Sequence, residues 1–180
     1  MTELAASKLT GALPALDGSA LTGVSAGKLL NAVSTEKLNA FTTTSNTPVD
    51  ITGMSVSITP SSTSSKILVI ATCGAVGMVN AGQACEIFLM RDSTYIHRSS
   101  DTGGATRAAA VHNGNVNYDV SSMAIHHLDS PNTTSQVTYK LRMSTQASGT
   151  AVFNRRGDDT GGNPSFAKGA AEITAIEIGV

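Results

Sequence analysis

Residues 137–144 read Val-Thr-Tyr-Lys-Leu-Arg-Met-Ser, with an apolar or aromatic side chain at every odd position and a polar one at every even position. Successive side chains of a strand point to opposite faces, so this period of two predicts a half-buried β-strand. Met54, Val56 and Ile58 alternate in the same way with Ser55, Ser57 and Thr59, and Pro60 stops the run. The continuous apolar stretch ILVIA at 67–71 predicts a strand covered on both faces. EIFLMRD at 86–92 turns over Asp92-Ser93 into TYIHR at 94–98, and short strands are expected at Ala151–Phe153 and at AEITAIEI, 171–178.

Val116, Tyr118 and Val120 share one parity, whereas Met123 and Ile125 share the other. That switch predicts one long strand with a β-bulge at Ser121-Ser122. Asp129-Ser130-Pro131-Asn132 is a turn signal. The Gly/Ala/Ser-rich stretch 99–115 and the segment RRGDDTGGNPS, 155–165, read as loops. Short strands separated by such turns predict an all-β chain, an antiparallel β-sandwich or jelly roll, over residues 41–180.

Composition agrees. The chain has 180 residues, of which 22 are Thr and 21 Ser, and it lacks Trp. A 41% hydrophobic content suffices for a core, and the β-favouring bias excludes a helical bundle. Charged residues make up 14% and the net charge is −1, which leaves no basic footprint and no expectation of a nucleic-acid partner. No window approaches the roughly 20 apolar residues of a membrane helix, so no membrane association is expected. The start, MTELAASKLTGALP, lacks an apolar signal-peptide core, and synthesis in a cytoplasm is expected. Cys73 and Cys85 lie in predicted strands and are read as reduced apolar side chains, with a disulfide between them as the alternative.

Composition breaks near residue 41. Residues 1–40 carry isolated leucines between glycines and small residues: Leu13, Leu21 and Leu29 lie eight apart, and Leu16 to Val24 repeats the step. Gly11, Pro14, Gly18, Gly23 and Gly27 oppose a continuous helix, though a helical turn over Glu36–Ala40 is conceivable. These aliphatics are too sparse to cover one another in a lone chain. The segment is therefore either disordered or wound with other copies, and the regular leucine spacing favours the second. In the last strand Ile173 faces one side, and Ile176 and Ile178 the other. Apolar groups on both faces are expected either against another subunit or under a covering loop.

Chemistry-bearing motifs are sparse. Two Asp-Thr-Gly-Gly tetrapeptides, at 101–104 and 159–162, resemble aspartic-protease signatures but sit in polar loops, where Asp and Gly are ordinary turn residues. Arg156-Gly157-Asp158 spells an integrin-type tripeptide, and a local Arg–Asp pair is its plainer reading. His126 and His127, adjacent on a strand, point apart and cannot ligate one metal from one chain. Phosphate loops, zinc spacings, nucleophile elbows and spaced acidic pairs for glycan cleavage are missing. No enzymatic activity, catalytic residue, cofactor or metal is expected.

Three stretches carry a family resemblance. LPALDGSALTGVSAGK, 13–28, resembles the leucine/glycine segment that precedes the C-terminal domain of many tailed-phage fibre proteins. TPVDITGMSVSITPSSTSSKILVIA, 47–71, and SFAKGAAEITAIEIG, 165–179, are similar to the opening and closing strands of phage fibre tip domains. The resemblance implies a homotrimer of jelly-roll heads, like those of the tumour-necrosis-factor family, carried on a thin, extended and intertwined N-terminal segment. It implies a virion location, as a short fibre or spike touching a host glycan or protein, or alternatively as a capsid decoration protein whose residues 1–40 grip the shell. With Met1 eight residues before the first Leu-Thr-Gly, a separate tail-binding domain is not expected. Candidate trimer and anchor residues are Leu13, Leu16, Leu21, Val24, Leu29, Ile173, Ile176 and Ile178. Candidate receptor contacts are Arg107, His112, Asn113, Arg155, Arg156 and Asp158, in the two long loops. Other virion proteins are expected to bind through residues 1–40.

Overall fold

The period of two at 137–145 buries one set of side chains completely: Tyr139, Leu141 and Met143 are inaccessible, whereas Thr138, Lys140 and Arg142 remain half-exposed. The computed structural model describes residues 28–100, 107–146, 149–159 and 168–179. Within them lie eleven strands and no helix: β1 Lys28–Lys37, β2 Phe41–Thr43, β3 Val49–Ile58, β4 Lys66–Met78, β5 Gln83–Arg91, β6 Thr94–His97, β7 Ala110–Gly114, β8 Val120–Asp129, β9 Val137–Thr145, β10 Ala151–Phe153 and β11 Ala171–Gly179.

All described pairings are antiparallel, in two sheets. In the first sheet, β11 and then β10 pair with successive parts of β4, while β1 and β2 continue one another along the outside. β8 pairs with the other side of β4. The second sheet runs β3, β9, β5, with β6 and β7 sharing the far edge of β5. The chain crosses between sheets at β2–β3, β3–β4, β4–β5, β7–β8, β8–β9 and β9–β10. An antiparallel β-sandwich with jelly-roll connectivity results. Its core joins Ile67, Val69, Ala71 and Cys73 of β4 to Ile87, Leu89, Leu141 and Met143 of the facing sheet.

Register also defines two ends. Lys28 pairs with Gly179, Ile178 with Lys66, and Ile67 with Asp129, so residues 1–27 join the sandwich at that end. Gln83 pairs with Gly114, Gly77 with Val120, and Met78 with Ala151, marking the opposite end.

Five local expectations change. The composition break at residue 41 is not the edge of the folded unit, because β1 pairs along the whole of β11, from Gly179 back to Ala171. Val33 and Thr35 turn toward the core while Ser34 and Glu36 face outward, a strand parity in place of the helical turn conceived for Glu36–Ala40. The stretch read as a 99–115 loop contains β7. The strand expected from Val116 begins only at Val120: Asp119 accepts from the Asn115 amide at 3.3 Å, Asn117 Oδ1 accepts from the Ala81 amide at 2.9 Å, and Tyr118 has φ +63°. Turn-forming Asn and Asp side chains outweigh three residues of matching parity. The irregularity near Ser121-Ser122 exists, but its extra residue is on β4: Cys73 opposes Met123 and Val76 opposes Ser121. Gly77 follows that bulge, and a Cβ there would lie 1.9 Å from the Asp119 carbonyl oxygen.

Few charges enter the interior, and those that do are tied. Asp129 Oδ1 and Oδ2 accept from one Arg91 nitrogen at 2.9 and 2.7 Å, and Tyr139 donates its hydroxyl to Oδ2 at 2.7 Å. This network joins β8 of one sheet to β5 and β9 of the other. Buried Glu177 accepts from the Ser61 amide and hydroxyl and the Ser65 hydroxyl, which clamps the serine-rich β3–β4 turn. Burial alone would raise its pKa; those donors outweigh it and hold the carboxyl below its ordinary value. Replacing Asp129 by Ala removes the carboxylate partner of Arg91, leaves a buried tyrosine hydroxyl unpaired and is expected to cost about 3 kcal/mol, read as a lowered midpoint in urea unfolding.

Candidate functional site

β4 sends Ile67, Val69, Ala71 and Cys73 into the core, and pleating therefore turns Leu68, Ile70 and Thr72 onto the outer face of the first sheet. Pairing places Leu68 between Ile176 of β11 and Leu128 of β8, and Ile70 between Thr174 and His126. Ile178 pairs with Leu29 of β1. An apolar strip thus crosses four adjacent strands near the end where residues 1–27 join. Leu29 is 72% exposed and Leu128 53%, whereas Leu68, Ile70, Ile176 and Ile178 are half-buried. Toward the other end the face becomes polar. Ser34 and Thr174 hydroxyls donate to Glu172 and hold its carboxyl below the ordinary value, and Glu36 lies directly opposite on β1.

The candidate trimer residues divide accordingly. Leu29, Ile176 and Ile178 belong to the outer strip. Ile173 does not: it is fully buried between the sheets with Ala175, so it packs the core of one chain and cannot meet another. Leu13, Leu16, Leu21 and Val24 lie outside the described residues. Sequence does not single out Leu68 and Ile70, because the unbroken apolar run 67–71 hides which of its members face outward, nor Leu128, an isolated leucine between His127 and Asp129.

The candidate receptor residues are dispersed as well. Arg155, Arg156 and Asp158 sit in the segment after β10, where a Cβ on Gly157 would meet Val79 and Tyr118. This segment therefore folds over the end opposite Lys28. Arg156 stands 6.0 Å from the Tyr118 ring centroid, and its Nε lies 3.1 Å from Asp158 Oδ1, the local pair expected of that tripeptide. Asn113 is exposed on β7, and Arg107 is half-buried ahead of it. His112 is withdrawn from contact: it is 7% exposed, with Nδ1 2.6 Å from Ser121 Oγ. Its inward parity on β7 takes it into the gap between the sheet edges. Of the two Asp-Thr-Gly-Gly segments, 101–104 lies outside the described residues. In the other, Asp159 is buried beside Lys168.

No family model matches the chain, and no curated protein matches it significantly.

Burial pushes the Cys73 and Cys85 thiols up to about 12, and both are free. The alternative of a disulfide between them is set aside; they behave as apolar core groups. Among the described residues no cluster of three or more His, Cys, Asp or Glu could hold a metal ion. His126 faces outward and His127 inward, and His127 meets His97 of β6 across the open sandwich edge, with ring centroids 5.1 Å apart. Burial lowers the His127 pKa, His97 and Arg91 lower it further, and Asp129 acts the other way. A histidine whose folded pKa lies below its unfolded value stabilises fully above the ordinary 6.5 and loses that contribution as pH falls toward the folded value. Urea midpoints are expected to drop between about pH 7.5 and 5.5, and the drop should be smaller in His127→Gln.

Proposed function

We propose that the protein is a homotrimeric structural component of a tailed-phage virion, a short fibre or spike whose head touches the host surface. The observation that carries this reading is the outer apolar strip of the first sheet. An isolated sandwich gains nothing by presenting Leu29, Leu68, Leu128, Ile176 and Ile178 to water on one contiguous face. Three copies around a threefold axis cover three such strips at once, and closed symmetry stops the contact from propagating into a filament. Each aliphatic side chain so covered contributes up to about 1.5–3 kcal/mol.

The direction of the chain supports the same reading. Residues 1–27 join at the end where the strip lies. In this reading Leu13, Leu16, Leu21 and Val24 take part in the same trimer contact, and residues 1–40 also reach other virion proteins. The opposite end is left for the host, where Gly157 packs against Val79 and Tyr118 and Arg156 stands over the Tyr118 ring. Weak contacts there are multiplied by three copies and by many fibres per virion.

Light scattering on the purified chain is expected to give a mass near three times 18.4 kDa. Leu128 is already exposed in the single chain, so Leu128→Asp should leave the fold intact and yield a species of 18.4 kDa. A wild-type monomer would remove the reading. Purified trimer should label host cells and compete with infection. Binding to phage shells in place of cells would move the protein to the decoration role.

A further inference from the structure

Where β1 passes into β2, residues 38–42 form one wall of an open groove of about 460 Å³, and Arg155, Asp159 and Lys168 form the other. That volume lies within the range of about 300–1,000 Å³ usual for small-ligand sites. We infer that this groove binds an anionic sugar, a saccharide carrying a carboxylate or phosphate, on the host surface; the inference rests on the host-contact reading above.

Its chemistry is donor-rich. Asn39 Oδ1 is occupied by the Lys37 ammonium at 2.6 Å, so the Asn39 amide presents its NH2 group to a ligand. Arg155 uses one guanidinium nitrogen on the Asp159 backbone oxygen, which fixes the fork beside the groove. Lys168 is half-exposed, with Nζ 3.5 Å from Asp159 Oδ2. Asp159 itself is fully buried, so it orders the two cations without offering its carboxylate to a ligand. The two cations outnumber that carboxylate, which leaves a positive rim.

Leu38, 67% exposed, and half-buried Phe41 supply an apolar wall beside these donors. A sugar ring presents apolar C–H faces and a rim of oxygens, and one bearing an anionic group adds the acceptors that Arg, Lys and Asn would satisfy. A neutral sugar would leave the excess of two cations over one carboxylate in the lining unmatched. Arg155 lies two residues before Gly157, whose Cβ position meets Val79 and Tyr118 at the end opposite Lys28.

The test uses the full chain and three probes, glucuronic acid, glucose 6-phosphate and glucose, titrated by calorimetry with saturation-transfer NMR to identify the contacting protons. Both acidic sugars should bind roughly tenfold more tightly than glucose, the ratio of one charge-assisted contact, and weaken with added salt. Lys168→Gln should remove that advantage. Leu38→Asp, at an exposed position that carries no part of the core, should do the same by placing a carboxylate on the rim. Equal affinity for glucose, binding of neither acidic sugar, or unchanged binding in both variants would overturn the inference. The same proteins, fluorescently labelled and added to host cells, separate it from the host-contact reading. Cell labelling unchanged in both variants, with no sugar binding, sinks the groove and leaves that reading standing. Variant-sensitive sugar binding without cell labelling does the reverse.

Discussion

β11 lies in unbroken antiparallel register against β4, from Ile178 opposite Lys66 to Ala171 opposite Cys73. Because side chains alternate, this single ladder assigns each paired residue, 66–73 of β4 and 171–178 of β11, to the core or to the outer face. Ile173 and Ala175 go inward with Ala71 and Val69; Ile176 and Ile178 go outward with Leu68 and Lys66. A slip of one residue would exchange the two sets and bury Glu172 and Thr174. The ladder ends where β4 bulges at Gly74-Ala75, and beyond it β10 takes over the place of β11. That exchange needs close backbone contact: a Cβ on Gly74 would lie 2.4 Å from the Ala170 carbonyl oxygen.

With the lane beside β4 filled, the remaining problem is the sandwich edge where β8 faces β6 and β7. Hydrophobic packing alone does not close it. Arg91 and Tyr139 reach Asp129, His97 meets His127, and His112 meets Ser121, four contacts between opposite sheets along one seam. Two of the chain's few charged residues, Arg91 and Asp129, sit on this seam. Such contacts orient the two sheets relative to each other and make the edge responsive to pH in a way the aliphatic core is not.

Assembly and recognition, in the proposed reading, use different parts of the molecule. The apolar strip belongs to a sheet face and depends on strand register, which tolerates little change. The loop after β10 and the groove at residues 38–42 belong to connections, which tolerate substitution without loss of the core. In that reading the recognition surface can change without disturbing the face used for assembly.

Alternation at 54–58 and 137–143, the apolar run at 67–71 and the turn at 129–132 were sufficient to read an all-β sandwich from the residues alone, since a strand's period and its breakers are local properties. The absence of an identifiable catalytic arrangement in the sequence was likewise a local observation. Local signals failed where partners decide. Val116 to Val120 has strand parity, but Asn115, Asn117 and Asp119 find turn partners, among them the Ala81 amide, which is distant in sequence. Lys28–Lys37 joins the sheet because β11 offers a free edge, which its leucine/glycine context did not announce. Ile173 and Ile176 are the same residue type three positions apart, and sequence could say that they face opposite ways but not which way was in. Residue chemistry and spacing determined the fold class; only the tertiary structure, by pairing β11 with β4 over a shared core, decided which apolar side chains hold the chain together and which stay on the outer face.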